Sequence, residues 1–325
     1  MTMPRFGENE PDPVSRLAAL VLALLGLNLL AGAGLGCLAL SVGPAVAGLG
    51  VVAWLLGLRH AFDADHIAAI DNVTRRLRQQ GHRPVAIGLF FSLGHSTVVF
   101  AMTLALALGL RRTDGFAAWL GEWGVPASLL ASATFLTVVG VLNAAALRKM
   151  GQVHLFRQEN GSVTFSDGLF GRVGHSHAMF PLGLLFGLNL DTAAEIVLLV
   201  ASATALHGLG LPVWAMLAFP LLFMAGMAAA DSAEGLMMLR LYDWAMADRD
   251  RTLRLNTATT ALSALLALGI AAMQWAALAH WAGWTVPSFD AVPSAAVGLG
   301  ATLLMALLWA VARLRRATPA VARVS

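Results

Sequence analysis

The chain has 325 residues, of which 58% are hydrophobic and only 12% are charged, and its mean hydropathy is +0.74. A soluble domain carries about twice that charged fraction, so the composition excludes a soluble protein and predicts a polytopic membrane protein. The net charge of +3 does not indicate nucleic-acid binding, because the basic residues fall in short loops. The single cysteine, Cys37, excludes a disulfide framework and a cysteine-based zinc site.

Apolar segments alternate with short polar loops from residue 16 onwards. A helix needs about 20 apolar residues to cross a hydrocarbon core of roughly 30 Å, and eight segments meet that requirement. They are residues 16–40, 44–74, 84–110, 125–147, 179–205, 212–239, 255–281 and 291–312. The sequence therefore predicts an all-α integral membrane protein with eight transmembrane helices, which form one transport domain over residues 16–312.

The basic residues predict how these helices are oriented, because cytoplasmic loops carry an excess of lysine and arginine. Nearly all of the 21 basic residues fall on one side when both termini are cytoplasmic. We therefore predict a disordered cytoplasmic tail at residues 1–15, a second tail at residues 313–325 and a long cytoplasmic loop at residues 148–178. The expected location is the inner (cytoplasmic) membrane.

The second apolar segment contains an unusual polar motif, which runs from Arg59 to Ile67 and reads RHAFDADHI. Only residues 44–58 precede it without charge, and they cover about 22 Å as a helix, which is too short to cross. The motif must therefore lie at membrane depth, where each charge costs about 2.5–3.5 kcal/mol. Two imidazoles and two carboxylates are the usual ligands of a divalent transition metal.

A straight helix could not direct these four side chains at one ion, because successive residues are about 100° apart around the axis. Either the helix is locally unwound or bulged, or the four side chains divide between ligands of the ion and residues that orient those ligands, with Asp63 a candidate for the second role. Asp71 returns to the face of His60 and could orient that ring. The alternative is a salt-bridge cluster around Arg59, but one arginine cannot neutralise several acids.

Other predicted spans contribute further polar groups. His95 in the third span is a candidate ligand beside the motif. Asp191 and Glu195 share a face of the fifth span, and Asp231 and Glu234 lie in the sixth. We expect these four acids to gate or relay, with a structural role as the alternative, especially for Glu234.

Two further histidines, His175 and His177, precede the fifth span on the cytoplasmic side. We favour a solvated loop there over a role in passing metal onward.

The motifs resemble those of the nickel/cobalt transporter family (NiCoT). His60, Asp65 and His66 form its His-x4-Asp-His signature. Residues 93–99, 188–196 and 226–235 are similar to its motifs in the third, fifth and sixth spans. Two departures are Glu234-Gly235, where the family usually has Asp-Gly, and Asn189-Leu190-Asp191, where it often has Gly-Phe-Asp.

This resemblance implies eight spans, cytoplasmic termini and uptake of Ni²⁺ or Co²⁺ by a secondary permease. It also implies that His60, Asp65 and His66 recognise the ion. We expect His95 to complete the ligand set. Mixed nitrogen and oxygen ligation suits Ni²⁺ and Co²⁺ better than Mg²⁺ or Ca²⁺, which prefer all-oxygen ligands. The metal is then a transported substrate, and we expect no cofactor and no enzymatic activity.

Two other functions compete with uptake. Efflux relatives tend to carry a long histidine-rich cytoplasmic loop, whereas residues 148–178 hold only His154, His175 and His177. An intramembrane metalloenzyme would need a motif such as His-Glu-x-x-His, which is missing. No phosphate-binding Gly-x4-Gly-Lys-Ser/Thr loop occurs, and no ATPase partner is evident from the sequence. The expected partners are therefore the metal ion and the lipid bilayer, and not a nucleic acid.

Overall fold

The computed structural model describes residues 12–109, 122–123, 125–156, 175–187, 213–245 and 249–286, with four single positions near the C-terminus (300, 303, 304 and 307). Every regular element in these ranges is helical. The α-helices are α1 Pro13–Val42, α2 Pro44–His60, α3 Ala64–Gln79, α4 Ile87–Gly109, α5 Val125–Phe156, α6 Met179–Gly187, α7 Val213–Met216, α8 Ala218–Ala245 and α9 Arg249–Trp281. A 3₁₀ turn at Ser176–Ala178 precedes α6.

Several helices are apolar and long enough to cross a membrane. Val14–Val42, Ile87–Leu104, Ala218–Trp244 and Thr257–Trp281 meet that test singly, and Pro44–His60 with Asp65–Arg78 forms a fifth candidate as a bent pair. The described part of the chain thus contains four or five candidate spans and confirms a helical membrane protein. Most of residues 179–205 and 291–312, predicted as the fifth and eighth spans, lie outside the described residues.

The second span is broken at the polar motif, as local unwinding requires. Helix α2 ends at His60, and the extended backbone of Asp63, with φ −67° and ψ 139°, precedes α3. The two helices are inclined by 54°. Non-helical backbone at membrane depth is tolerated where it is buried in protein, and Ala61 and Asp63 are buried. The break allows side chains that a straight helix would separate to lie on one side.

Glycines bring the helices around this break into backbone contact. A Cβ added to Gly57 would lie 1.9 Å from the carbonyl oxygen of Phe223, and one added to Gly88 would lie 2.2 Å from the carbonyl oxygen of Asp231. Small residues permit such approach between membrane helices. Helix α8 therefore lies directly against α2 and α4.

The contacts also give the relative directions of the helices. Helices α3 and α8 run in the same direction, since His66 contacts Asp231 and Asp71 contacts Tyr242 further along both. Helices α4 and α6 also run in the same direction, because Gly183 approaches Phe91 and Gly187 approaches Val98. Helices α5 and α9 are antiparallel, since Thr137 bonds Trp275 whereas Gly140 packs on Leu268.

Two apolar clusters flank the break in the second span. One contains Phe91 and Phe186 with residues of α3, α5 and α9, and the other contains Phe219 and Phe223 with residues of α1 and α2. The His66 ring packs against Phe91, and the His60 ring lies 5.6 Å from Phe223. The motif therefore lies where the two clusters meet.

A buried polar network fastens α3 to its neighbours beyond the motif. Asp71 accepts hydrogen bonds from the hydroxyls of Tyr242 (2.5 Å) and Ser263 (2.8 Å). Arg75, only 2% exposed, lies 3.9 Å from Asp71 and donates hydrogen bonds to Asn72, Asn143, Thr259 and Thr260. The sequence suggested that Arg75 begins a loop, but α3 continues to Gln79 because these partners satisfy the buried guanidinium.

Candidate metal centre

Three buried histidines from three helices converge beside the break. His60 is the last residue of α2, His66 lies in the first turn of α3, and His95 lies in α4. Their ring centroids are separated by 4.7, 4.8 and 5.0 Å. One ligand nitrogen from each ring falls within 4.8 Å of the others, and each residue is at most 2% exposed. The three rings therefore lie close enough to one another to hold one metal ion.

Helices α2 and α4 place the imidazoles of His60 and His95 at the separation that a shared ion would require. The Nε2 atoms of His60 and His95 are 3.1 Å apart. With metal–nitrogen bonds of roughly 2.0–2.1 Å, that separation corresponds to an angle of about 98° at the metal. The angle lies between octahedral and tetrahedral values. Two imidazoles can therefore bind one ion here with little rearrangement.

The far side of the His60 ring faces a carboxylate. His60 Nδ1 lies 2.8 Å from Asp63 Oδ2, across the broken turn. A carboxylate on one ring nitrogen fixes the tautomer, makes the other nitrogen a better ligand and limits rotation of the ring. Asp63 thus lies at ion-pair distance behind the ring whose Nε2 faces His95.

His66 has the same arrangement, with a partner from a distant part of the chain. Its Nδ1 lies 3.4 Å from Asp231 Oδ1 on α8, and Asp231 Oδ2 accepts a hydrogen bond of 2.6 Å from Ser92. His66 Nε2 is buried and has no hydrogen-bond partner among the described residues. An unsatisfied buried nitrogen is unfavourable unless a ligand completes it. Both carboxylate-backed histidines thus present Nε2 to the centre.

Asp65, which we predicted as a ligand, lies near the group but is not part of it. It lies in the first turn of α3, where an acidic side chain complements the helix dipole, and its Oδ1 accepts the backbone N–H of His66. The contact holds the start of α3, and with it His66. Any role of Asp65 as a direct ligand remains a prediction.

The other predicted acids occupy different surroundings. Asp71 belongs to the network with Tyr242 and does not follow the expectation of a partner for His60, because that expectation assumed one continuous helix. Glu234 lies one turn beyond Asp231, and its buried Oε1 has no hydrogen-bond partner in the described ranges. Asp191 and Glu195 lie outside the described residues.

Sequence reasoning missed two contributors to this centre. Ser92 holds Asp231, and Phe91 packs edge-on against His66 at a centroid distance of 4.8 Å. Ser92 lies three residues before His95, on nearly the same face of α4, and that spacing was the available signal. Nothing in the sequence indicated that Asp231, 165 residues away, meets His66.

A known protein family matches most of this chain. The model of the NicO family, described as high-affinity nickel-transport protein, matches residues 46–315. The chain belongs to this family. The matched residues include the break in the second span, all three histidines and Asp231. No solved structure matches the chain.

Three relatives of this NicO protein are named as nickel or cobalt transport proteins. It is 39% identical over 290 residues to the nickel transporter NicT of Mycobacterium tuberculosis, a match covering 82% of this chain and 78% of the relative. It is 42% identical over 286 residues to the cobalt transport protein NhlF of Rhodococcus rhodochrous, covering 81% and 80%. It is 39% identical over 238 residues to the high-affinity nickel-transport protein NixA of Helicobacter pylori, covering 67% and 71%.

Proposed function

We propose that this chain takes up Ni²⁺ across the cytoplasmic membrane as a secondary permease, with Co²⁺ as a second candidate substrate. His60, His66 and His95 bind the ion in transit, and Asp65 remains a candidate fourth ligand. The observation that carries the proposal is the convergence of three buried imidazoles, two of them backed by buried carboxylates. Membership of the NicO family and the names of its relatives favour this substrate class.

The chemistry of the donors supports a borderline transition metal. Imidazole nitrogen suits Ni²⁺, Co²⁺ and Zn²⁺, whereas Mg²⁺ and Ca²⁺ prefer oxygen shells. The carboxylates of Asp63 and Asp231 are 3% and 0% exposed, and their negative charges behind the two rings help to balance the positive charge of the ion. That balance reduces the cost of holding a dehydrated dication in a dry interior.

The membrane topology is part of the proposal. Parallel α3 and α8, parallel α4 and α6, and antiparallel α5 and α9 support successive spans of alternating direction. We propose eight spans over residues 16–312, cytoplasmic tails at residues 1–15 and 313–325, and a cytoplasmic loop at residues 148–178. A dication moving inward through 100 mV gains about 4.6 kcal/mol, which favours accumulation without ATP hydrolysis by this chain.

Accumulation of radioactive ⁶³Ni²⁺ in cells carrying the gene tests the function. Wild-type protein should raise cellular nickel above the empty-vector level, and His66→Ala should return it to that level at equal membrane abundance. His280→Ala removes an exposed imidazole at the end of α9 and should transport like the wild type. A wild type that lowers cellular nickel would show efflux, and one that leaves it unchanged would remove the proposal.

The acids that surround the centre receive their roles in the same proposal. Asp231 and Asp63 orient the histidines. Glu234 on α8 and Asp71 on α3 lie beyond them, on helices that run towards the cytoplasm in the proposed topology. Asp191 and Glu195 remain candidate gating or relay groups of the fifth span. Each is tested by the same accumulation assay with the corresponding amide variant.

A further inference from the structure

Three histidines from two separate segments meet at the ends of α4 and α6, away from the three-histidine centre. His82 lies in the connection between α3 and α4, and His175 and His177 immediately precede α6. The ring of His175 stacks on that of His177 at 5.3 Å and lies 6.1 Å from that of His82. Sequence spacing provides no reason to associate His82 with the other two, because more than 90 residues separate them.

From this convergence we infer a second metal site at the cytoplasmic mouth, formed by His82, His175 and His177, which receives the divalent transition-metal ion as it leaves the central histidines. The inference rests on the proposed function for the identity of its ion and for the side of the membrane on which it lies. It concerns exposed ligands that the central site does not use.

Two helices independently place this mouth cluster close to the centre. His177 packs edge-on against Phe90, which lies five residues before His95 on α4, a rise of about 7.5 Å. On α6, Gly183 contacts the backbone of His95 and lies six residues after His177, a rise of about 9 Å. The cluster therefore lies about one and a half helical turns from the centre along the direction of each helix.

The surroundings change from dry to wet between the two sites. His66 and His95 are 0% and 1% exposed, whereas His175 and His177 are exposed and His82 is partly buried. An ion leaving the centre must exchange imidazoles for water. Exposed imidazoles bind borderline ions and leave room for water ligands, so the exchange can proceed in steps.

The nearby positive charge does not prevent binding at the mouth. Arg83 follows His82, but its guanidinium pairs with Asp243 at 2.8 Å and is 46% exposed. Two unit charges 4 Å apart in water interact by only about 1 kcal/mol, which is small beside a coordinate bond to a transition metal. The rings stand farther apart than those of the central group, so the side chains must turn about χ1 and χ2 to bring one nitrogen from each ring onto a shared ion.

Metal stoichiometry measured on the purified, tag-free, full-length protein in detergent tests the inference. Equilibrium dialysis with ⁶³Ni²⁺ should find about two ions per chain for the wild type and about one for the double variant His175→Ala/His177→Ala. His95→Ala should retain the mouth ion. His280→Ala, which also removes an exposed imidazole, should still bind about two. His82→Ala, from the other segment, should weaken the same ion that the double variant loses.

The outcomes separate this inference from the proposed function. Wild-type protein that binds one ion, or a double variant that still binds two, would overturn the mouth site even if nickel uptake is normal. If the protein binds two ions but cells carrying it take up no nickel, the transport proposal is refuted and the second metal site is not. If both hold, the double variant should also lower the maximal uptake rate and the half-saturating nickel concentration together, leaving their ratio unchanged, since release is slowed and capture is not.

Discussion

Replacing Asp231 with asparagine should weaken metal binding without unfolding the protein. Asp231 is fully buried on α8 and holds two partners, His66 Nδ1 at 3.4 Å and the Ser92 hydroxyl at 2.6 Å. Asparagine has the same shape, so its oxygen can still face His66. Its amide can donate to Ser92, because that hydroxyl can donate to the carbonyl of Gly88, 2.8 Å away. What the variant removes is the negative charge behind the His66 ring.

The size of the effect follows from that loss. Removing the partner that orients a metal-binding histidine costs about 10–100-fold in affinity, or about 1.4–2.8 kcal/mol. The upper part of this range applies to a dry site such as this one, because little water is available to replace the carboxylate. We therefore expect the dissociation constant for Ni²⁺ to rise towards a hundredfold in Asp231→Asn.

Titration calorimetry of the purified protein with Ni²⁺ measures that change. The matched control is Asp243→Asn, the same substitution on the same helix. Asp243 is 26% exposed and pairs with Arg78 and Arg83, an arrangement worth only about 0–1 kcal/mol. If Asp231→Asn and Asp243→Asn bind Ni²⁺ at the central site equally well, the carboxylate does not orient His66 as we argue.

Two further predictions concern stability, and both are measured by thermal unfolding in detergent. Gly57→Ala should destabilise the protein by about 1–3 kcal/mol or prevent its folding, because the new methyl overlaps the Phe223 carbonyl, whereas Gly48→Ala on the same helix meets nothing within 4 Å. Equal midpoints for the two glycine variants would contradict the close packing of α2 on α8. Arg75→Leu should cost about 3–5 kcal/mol by leaving its buried partners unpaired, and Arg83→Leu, at an exposed pair, should cost about 0–1 kcal/mol. A small loss in Arg75→Leu would show that the network does not fasten α3.

The sequence was sufficient for the features that depend on local pattern. The length of the apolar segments predicts the helices. The uncharged stretch before Arg59 is too short to cross the membrane, which places the motif of residues 59–67 within the second span. Helix geometry offers local unwinding as one of two solutions, and the structure has the break at Ala61–Asp63. His60, His66 and His95 were selected as ligands from their chemistry, and the structure brings these three together.

Features that depend on distant contacts were outside the reach of that reasoning. Asp231 could be recognised as functional but not as the partner of His66, because helix packing fixes which faces meet. The predicted second span ends at residue 74 and so places Arg75 in a loop, since a charge at the end of an apolar segment normally marks the membrane boundary. Its buried partners come from α3, α5 and α9, and no single segment reveals them. The same limit hid the contact of His82 with His175.

A structure of the protein with bound Ni²⁺, located by its anomalous X-ray signal, tests the central claim most directly. Our account predicts an ion at roughly 2.0–2.1 Å from the Nε2 atoms of His60, His66 and His95, with the carboxylates of Asp63 and Asp231 still on the opposite ring nitrogens. An anomalous peak elsewhere, with the three imidazoles bonded to one another and to no metal, would contradict it.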